Sequence, residues 1–503
     1  MSPEHWFPGW MAIPLAFLLG GLTACASNPD PHPPPVAVPD TFAGRGSPEG
    51  RAAAEDSLGW WGEFQDPVLD SLVQLTLDGN FDLMAAWARF RQSMAAAEQA
   101  EAARLPNLTA NADASRARRF LNLGIPQAPS TISTEQYGLT LGARYEVDLW
   151  GRLADLDQAA ELEAEASRRD VHALAMTLSA RTAELWYGLV TQGEQASLLA
   201  RQAATDSLYL ELVRRRFGNG LVSAVDVHQQ EQQLRGTLAE IPRVQARLAT
   251  LRNQLAVLTG QPPGWDSLPL KPGEMVLPPL PKAGIPVEVL DRRPDVQAAW
   301  LRLRAADHRV AAAVKDRLPA LSVSGSIGYN ASELASLFKE WVYNIAASVV
   351  APLFDGGRRE AGVEQRKAAV DAALAQLGSV LLASLQEVED ALAQDRRQGE
   401  YLAQLRAQME VARTLLRESR LRYREGLTDY LPVLNALQSL HGLERGLLAA
   451  RHQRTVYRIH LYRALGGGWM ERLEPIRAQD AAPGPGTGQG RPGKGSGEGR
   501  GVR

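Results

Sequence analysis

Residues 136–152 read QYGLTLGARYEVDLWGR, and in this stretch apolar side chains alternate with polar or small ones. Side chains of an extended strand point alternately to its two faces, so the apolar set occupies one face and the polar set the other. The apolar set is Tyr137, Leu139, Leu141, Ala143, Tyr145, Val147 and Leu149. A single strand of this kind is typical of a soluble sheet, because the membrane-barrel signal is weak in any one segment.

The same alternation returns in residues 108–116, 321–330 and 341–353. Each stretch is about as long as the roughly 9 to 11 residues of a tilted membrane strand. Tyr and Trp near the strand ends suit the aromatic girdle of a membrane barrel. Four strands are too few to close such a barrel, whose smallest common form has about eight, and an open edge in lipid leaves backbone groups unpaired. Strands in a membrane must therefore come from several chains, and three copies would supply twelve.

The chain is internally duplicated. Eight residues between positions 82 and 106 recur 213 positions later, and beyond the strands the offset falls to 206. Examples are Leu105 and Pro106 with Leu318 and Pro319, Arg152 with Arg358, and Gly220 with Gly426. The change in offset is explained by a longer first hairpin loop, expected at residues 118–134, where Pro, Ser, Thr and Asn are frequent.

Composition and spacing favour long helices around these strands. The 503 residues carry 54 basic and 57 acidic side chains, a balance that does not suggest nucleic acid as a partner. Residues 152–217 contain no proline, and a continuous helix of that length would be about 100 Å long. Gly188 and Gly193 are candidates for a break in it. Leucines and other aliphatic residues in 234–258 follow a coiled-coil spacing, in which Pro242 is expected to kink the helix or begin a new segment.

The N-terminus resembles a bacterial lipoprotein signal. An apolar run at residues 11–22, too short to span a membrane, leads into Leu22-Thr23-Ala24-Cys25. Cys25 is the only cysteine, which excludes an intramolecular disulfide. The resemblance implies cleavage before Cys25 and lipidation of its thiol, and Ala26 in place of Asp implies delivery to the outer membrane.

These observations divide the chain into six parts. They are a signal peptide at 1–24, a lipidated tether at 25–57, a first repeat at 58–260, a linker rich in Pro and Gly at 261–286, a second repeat at 287–468 and a disordered tail at 469–503. The first repeat has strands at about 107–117 and 136–149 and a tip turn at about 217–221. The second has strands at about 320–330 and 341–354 and a tip turn at about 423–428.

Several motifs, each present once per repeat, resemble the outer-membrane factor family, the TolC-like exit ducts of tripartite efflux pumps, in its lipoprotein branch. They are the Leu-Pro before each first strand, DLWGR at 148–152 and PLFDGGR at 352–358, and the turns RFGNGL at 216–221 and RYREGLTDYL at 422–431. The resemblance implies a mainly α fold with a membrane β-barrel. Three chains would form a twelve-stranded barrel in the outer membrane, continued into the periplasm by an α-helical coiled-coil tunnel.

The same resemblance implies the function and partners. The homotrimer would be a passive exit duct for small molecules such as drugs, held in outer-membrane lipid, and a periplasmic adaptor protein would open it at its helical tips. An inner-membrane efflux pump would supply the energy. The exported compound, the adaptor and the pump are left open by the sequence.

The periplasmic gate falls by resemblance on Asp226 and Tyr423, as a hydrogen bond between neighbouring helices, and on Leu431 as a constriction. The alternative for Asp226 is that it caps its own helix, with Tyr423 packed against it. The family's usual carboxylate ring falls on Asn435, and a second position that is acidic in some members falls on Pro432. An amide ring lacks the negative field that selects cations, so cation selectivity should be weaker unless Asp429 or Glu425 substitutes.

Adaptor contact falls by resemblance on the two tip turns. The residues are Gly218, Gly220, Leu221 and Ser223 in the first and Gly426, Leu427 and Thr428 in the second. The leucines would enter grooves of the partner, whereas the alternative is that they only close the coiled coil.

The residues suggest no enzyme, cofactor or metal site. No HExxH motif and no Cys/His cluster occurs, and the glycine-rich residues 484–490 lack the flanking strand and helix of a phosphate loop. The remaining alternative is a lipid-anchored periplasmic coiled-coil scaffold without transport activity, whose small sheet would be covered by its own chain.

Overall fold

The computed structural model describes residues 35–42, 59–121, 130–264, 277–281 and 286–474. The predicted signal peptide, Cys25 and most of the predicted tail lie outside these residues. The first repeat comprises α1 (Pro67–Gly79), α2 (Phe81–Ala102), β1 (Asn107–Leu121), β2 (Ser130–Val147), α3 (Arg152–Gly218) and α4 (Ala224–Leu258). The second comprises α5 (Pro286–Arg292), α6 (Pro294–Lys315), β3 (Ala320–Ala331), β4 (Trp341–Val350), α7 (Arg358–Arg424) and α8 (Leu431–Ala464).

The four strands form one antiparallel sheet in the order β1-β2-β3-β4. Its register puts like residues opposite each other: Gly142 faces Thr109 and Ser326, while Leu141 faces Ala110 and Ile327. The four apolar faces therefore merge into one apolar side, and the polar faces into the other. Leu141, Ile327 and many neighbours on the apolar side are exposed, so no described part of the chain covers it.

Aromatic residues gather at the end of the sheet that is farthest from the helices. Tyr329 pairs with Trp341 across the strands, and the rings of Trp341 and Tyr343 stack at 5.9 Å. Phe338, in the connection between β3 and β4, meets Tyr329 edge to face at 5.3 Å. Such a band suits the boundary between lipid and water.

Four strand boundaries differ from the sequence prediction, among them the end of β2, which was predicted at about 149 and lies at Val147. The expected loop 118–134 was too long, since β1 continues to Leu121 and β2 begins at Ser130; the Arg116–Glu135 ion pair at 3.3 Å and the continuing backbone ladder extend this hairpin. The last strand was predicted to 354 but ends at Val350. Pro352 follows two positions later, and proline lacks the N–H that a ladder needs.

The two longest helices, α3 and α7, have 67 residues each, and α3 is unbroken. The predicted break at Gly188 or Gly193 was wrong, because Gly188 packs near Leu251 of α4 and this tertiary contact outweighs the low helix propensity of glycine. Helix α4 likewise continues through Pro242, so no new segment begins there. Buried residues on either side of the proline, Thr237 and Val244, hold the helix in its packing.

The largest apolar core contains the start of the first repeat, at Trp60 and Trp61, and the end of the described chain. Trp469 and Met470 are buried, and the ring of Trp469 meets that of Trp61 at 4.7 Å. The prediction of a disordered tail from residue 469 was therefore wrong for 469–474, because these apolar side chains are buried here. Residues 35–42 of the predicted tether also pack on the helices: Phe42 is buried beside α7 and α8, and Pro35 lies against Gly378.

Candidate functional site at the helical tips

Each long helical hairpin reverses in the same kind of turn. In the first, Leu221 N–H donates to the Arg216 carbonyl at 2.9 Å and Gly220 N–H to that of Phe217 at 2.9 Å. In the second, Leu427 N–H donates to the Arg422 carbonyl at 2.9 Å and Gly426 N–H to that of Tyr423 at 3.2 Å. This pair of bonds is the Schellman motif, which ends a helix through one left-handed residue.

Both reversals require glycine because of their backbone conformation, and not because a larger side chain would lack room. Gly220 and Gly426 each have φ 72°, a conformation that L side chains rarely adopt. A Cβ atom at either position, or at Gly218, would meet nothing within 4 Å. The predicted contact glycines therefore border open surface in the single chain.

The leucines that follow these glycines are also uncovered. Leu221 is 63% exposed and Leu427 is 72% exposed. The alternative in which they close the coiled coil has no support within one chain, since neither packs into the described core. Thr428 is half-buried, and its hydroxyl has no hydrogen-bond partner among the described residues.

Asp226 is engaged in capping its own helix. Its Oδ2 accepts the backbone N–H and the hydroxyl of Ser223, both at 2.9 Å, while Asp226 N–H approaches the Ser223 hydroxyl at 3.4 Å. This capping box satisfies backbone donors that the first turn of a helix leaves free. Ser223 and Asp226, predicted for adaptor contact and gate, thus act together at the start of α4.

Tyr423 is buried and does not bond to Asp226 within the chain. Its ring lies under the guanidinium of Arg216, 4.3 Å from the ring centroid, and contacts the ring of Tyr430 at 5.4 Å. Among the described residues its hydroxyl lacks a hydrogen-bond partner. Burial raises the pKa of the Tyr423 phenol; the charge of Arg216 opposes this rise, and that of Asp226 adds to it. The hydroxyl therefore stays protonated at neutral pH and can donate a hydrogen bond.

Leu431 and Asn435 lie one turn apart on the first turns of α8 and are both exposed. Residues i and i+4 share one helix face, so the predicted constriction and amide ring lie on the same side. Pro432 stands in the first turn of α8, where its missing N–H costs no helical bond.

A network of buried polar side chains lies next to the tips, and the sequence did not predict it. The Tyr430 hydroxyl donates to Gln230 at 2.6 Å, Gln230 donates to the Asp206 carbonyl at 2.8 Å, and the Thr237 hydroxyl donates to Asp206 Oδ2 at 2.6 Å. His441 Nδ1 stands 3.7 Å from the other carboxylate oxygen, and burial lowers the pKa of this histidine against the opposing pull of Asp206. The network joins α3, α4 and α8 just above the tips.

Metal chemistry has no candidate here: within the described ranges no group of three or more His, Cys, Asp or Glu side chains could hold an ion. One window of α7 is long and apolar enough to cross a membrane as a helix, but α7 packs between α6 and α8.

An uncovered apolar sheet continued by two helices of about 100 Å defines the class: a subunit of an outer-membrane channel with a helical tunnel. The chain belongs to the outer membrane efflux protein family, whose model matches residues 72–261 and 285–467. The expected fold class is confirmed by its structural neighbours.

Named relatives and a solved structure cover nearly the whole chain. The pyoverdine export outer membrane protein OpmQ of Pseudomonas aeruginosa is 30% identical over 93% of this chain and 98% of its own. The toluene efflux pump outer membrane protein TtgC of Pseudomonas putida is 31% identical, over 93% of this chain and 97% of its own length. The solved structure of the outer-membrane channel OprN superposes with a TM-score of 0.82 and is 29% identical in sequence. The match covers 89% of this chain and 100% of OprN. The protein is thus the outer-membrane component of an efflux system.

Proposed function

We propose that three copies of this chain form one duct, through which small molecules pass passively from the periplasmic tips to the exterior. The observation that carries the proposal is the four-stranded sheet with one continuous apolar side, which its own described chain leaves uncovered. A periplasmic scaffold would need to cover this side, because exposed apolar surface of this extent is unfavourable in water.

The sheet has two free edges, and this is why several copies are needed. Strands β1 and β4 each have a neighbour on one side only, and an unpaired edge in lipid costs several kcal/mol per backbone group. Pairing β4 of each copy with β1 of the next removes every edge. Three copies give twelve strands, with the polar sides lining the lumen.

The tips are proposed as the site of adaptor contact and of the gate. The adaptor would cover Leu221 and Leu427 together with the open glycine turns. Since Asp226 does not reach Tyr423 within a chain, the proposed gate bond would join neighbouring chains, and the unpaired Tyr423 hydroxyl supports this. Leu431 would narrow the aperture, and Asn435 would line it without charge.

The remaining parts of the proposal concern the anchor, the cargo and the energy source. A lipid on Cys25 would hold the start of the chain at the outer membrane. An inner-membrane pump would supply the energy. The printed names of two relatives, for pyoverdine export and for toluene efflux, favour small organic molecules as the cargo.

Planar-bilayer recording of the purified protein tests this function. The proposal predicts small, mostly closed currents that increase when Leu431→Ala widens the aperture, whereas Leu415→Ala, an exposed leucine on α7 away from the tip turn, leaves them unchanged. A membrane-extracted protein that never conducts would contradict the duct and favour the scaffold.

A further inference from the structure

Five arginines line one cavity of about 360 Å³ at the junction of the sheet and the tunnel. The cavity lies between the first turns of α3 and α7 and the last turns of α6, directly below the sheet. The arginines are Arg152, Arg309, Arg358, Arg359 and Arg366. Asp316 is the one carboxylate that lines the cavity with them.

Acidic partners neutralise only part of this charge. Three of the arginines form ion pairs. Arg152 pairs with Glu146 at 2.7 Å and Arg309 with Glu163 at 3.1 Å. Arg359 pairs with Asp316 at 3.0 Å and with Asp355 at 3.1 Å. Arg358 and Arg366 make no ion pair with any residue that the structure describes. Two guanidinium groups, each with several donors, are thus free to bind an anion.

Two contacts place the cavity on the lumen side of the wall in the proposed duct. Arg152 bonds to Glu146, which stands on the polar side of the sheet opposite Ser322. On α7, Gly362 lines the cavity while Gly378 contacts Pro35. The two glycines are sixteen residues apart, which at about 100° per residue places them about 160° apart around the helix. Pro35 and the cavity thus lie on opposite sides of α7, and in the proposed duct the chain leading from the lipid anchor packs on the outer side, which leaves the cavity facing inward.

We propose that this cavity is a binding site for anionic cargo, and that its three copies form an arginine collar at the base of the barrel. The inference rests on the proposed function and names a substrate class for it: small molecules that carry carboxylate, phosphate or sulfonate groups. The planar guanidinium matches such groups with two parallel hydrogen bonds. Rings of Arg are also how pores select anions, and a narrow lumen concentrates their field.

The test measures block of single-channel current by inositol hexakisphosphate added on the barrel side. The double variant Arg358→Gln/Arg366→Gln removes the two unpaired charges, and Arg406→Gln on the lower half of α7 is the matched control, being exposed and without an ion pair among the described residues. The wild type and the control should be blocked at similar concentrations. The double variant should need at least tenfold more of the anion.

Three outcomes would overturn the collar. Equal block of the double variant and the wild type would show that these arginines do not bind the anion. Anionic phospholipid that copurifies with the wild type but not with the double variant would assign the site to a lipid headgroup. Loss of the trimer in the double variant would assign the arginines to subunit contacts. A wild-type protein that shows no current at all would contradict the proposed duct. Failure of the duct can thus be distinguished from failure of the arginine collar.

Discussion

Replacing Leu427 by Asp should abolish export while leaving the channel assembled. The side chain is 72% exposed, so the chain itself loses little when it is removed. Full burial of a leucine stabilises by roughly 1.5 to 3 kcal/mol. Covering the exposed 72% of the side chain in an adaptor groove would therefore contribute about 1 to 2 kcal/mol, which raises the affinity at each tip roughly 5- to 30-fold. A carboxylate placed in that groove adds a desolvation cost.

The matched control is Val411→Asp, since Val411 on α7 is 70% exposed and lies away from the tip turns. Drug susceptibility is measured in an efflux-deficient strain that expresses the cognate adaptor and pump, and assembly by native mass spectrometry. Leu427→Asp should lose resistance and keep its oligomer, and Val411→Asp should keep both. Full resistance of Leu427→Asp, or an equal loss in both variants, would refute the docking of the tip leucines.

Three further predictions address the tips and the core. Gly426→Asp should abolish resistance but not assembly, because adopting φ 72° costs a non-glycine residue only about 1 to 2 kcal/mol; an unassembled variant would argue against a docking role. Asp226→Ala removes the capping box and should lower the free energy of local unfolding at the start of α4 by about 1 kcal/mol. Backbone amides in the first turn of α4 should then exchange hydrogen faster, and unchanged exchange would contradict the prediction. Burial lowers the pKa of His172 to about 4, so the unfolded chain binds more protons between pH 6.5 and 4. The free energy of unfolding should fall as the pH drops through this window, by about 2 kcal/mol at pH 5. His172→Gln should remove this part of the pH dependence of the melting temperature, and an unaltered profile would refute the assignment.

The faces of the strands could be predicted because alternation is a local property. A one-residue slip in register would move all apolar residues of a strand to the wrong face. The alternation therefore predicts that Leu141 and Ile327 lie on the same side of the sheet, as they do. The lengths of the strands could not be predicted so well. The extension of β1 to Leu121 depends on its pairing with β2, which no single segment reveals.

For the candidate site at the helical tips, the sequence predicted the positions of the turns better than the contacts between side chains. Gly220 and Gly426 were identified because a sharp helix reversal requires a left-handed residue. The bonding of Asp226 to Ser223 could be weighed only as an alternative, since a capping box and a gate use the same carboxylate. Asp206 and His441 lie 235 positions apart in the sequence, and neither has a local pattern that marks it as buried and polar.

Native mass spectrometry of the detergent-extracted membrane protein counts the chains in the assembly, and a shared barrel requires a fixed number of them. We expect one species with three mature chains, each beginning at Cys25 and carrying its lipid. A monomer extracted under the same conditions would mean that the four strands close no common barrel, and would contradict the duct.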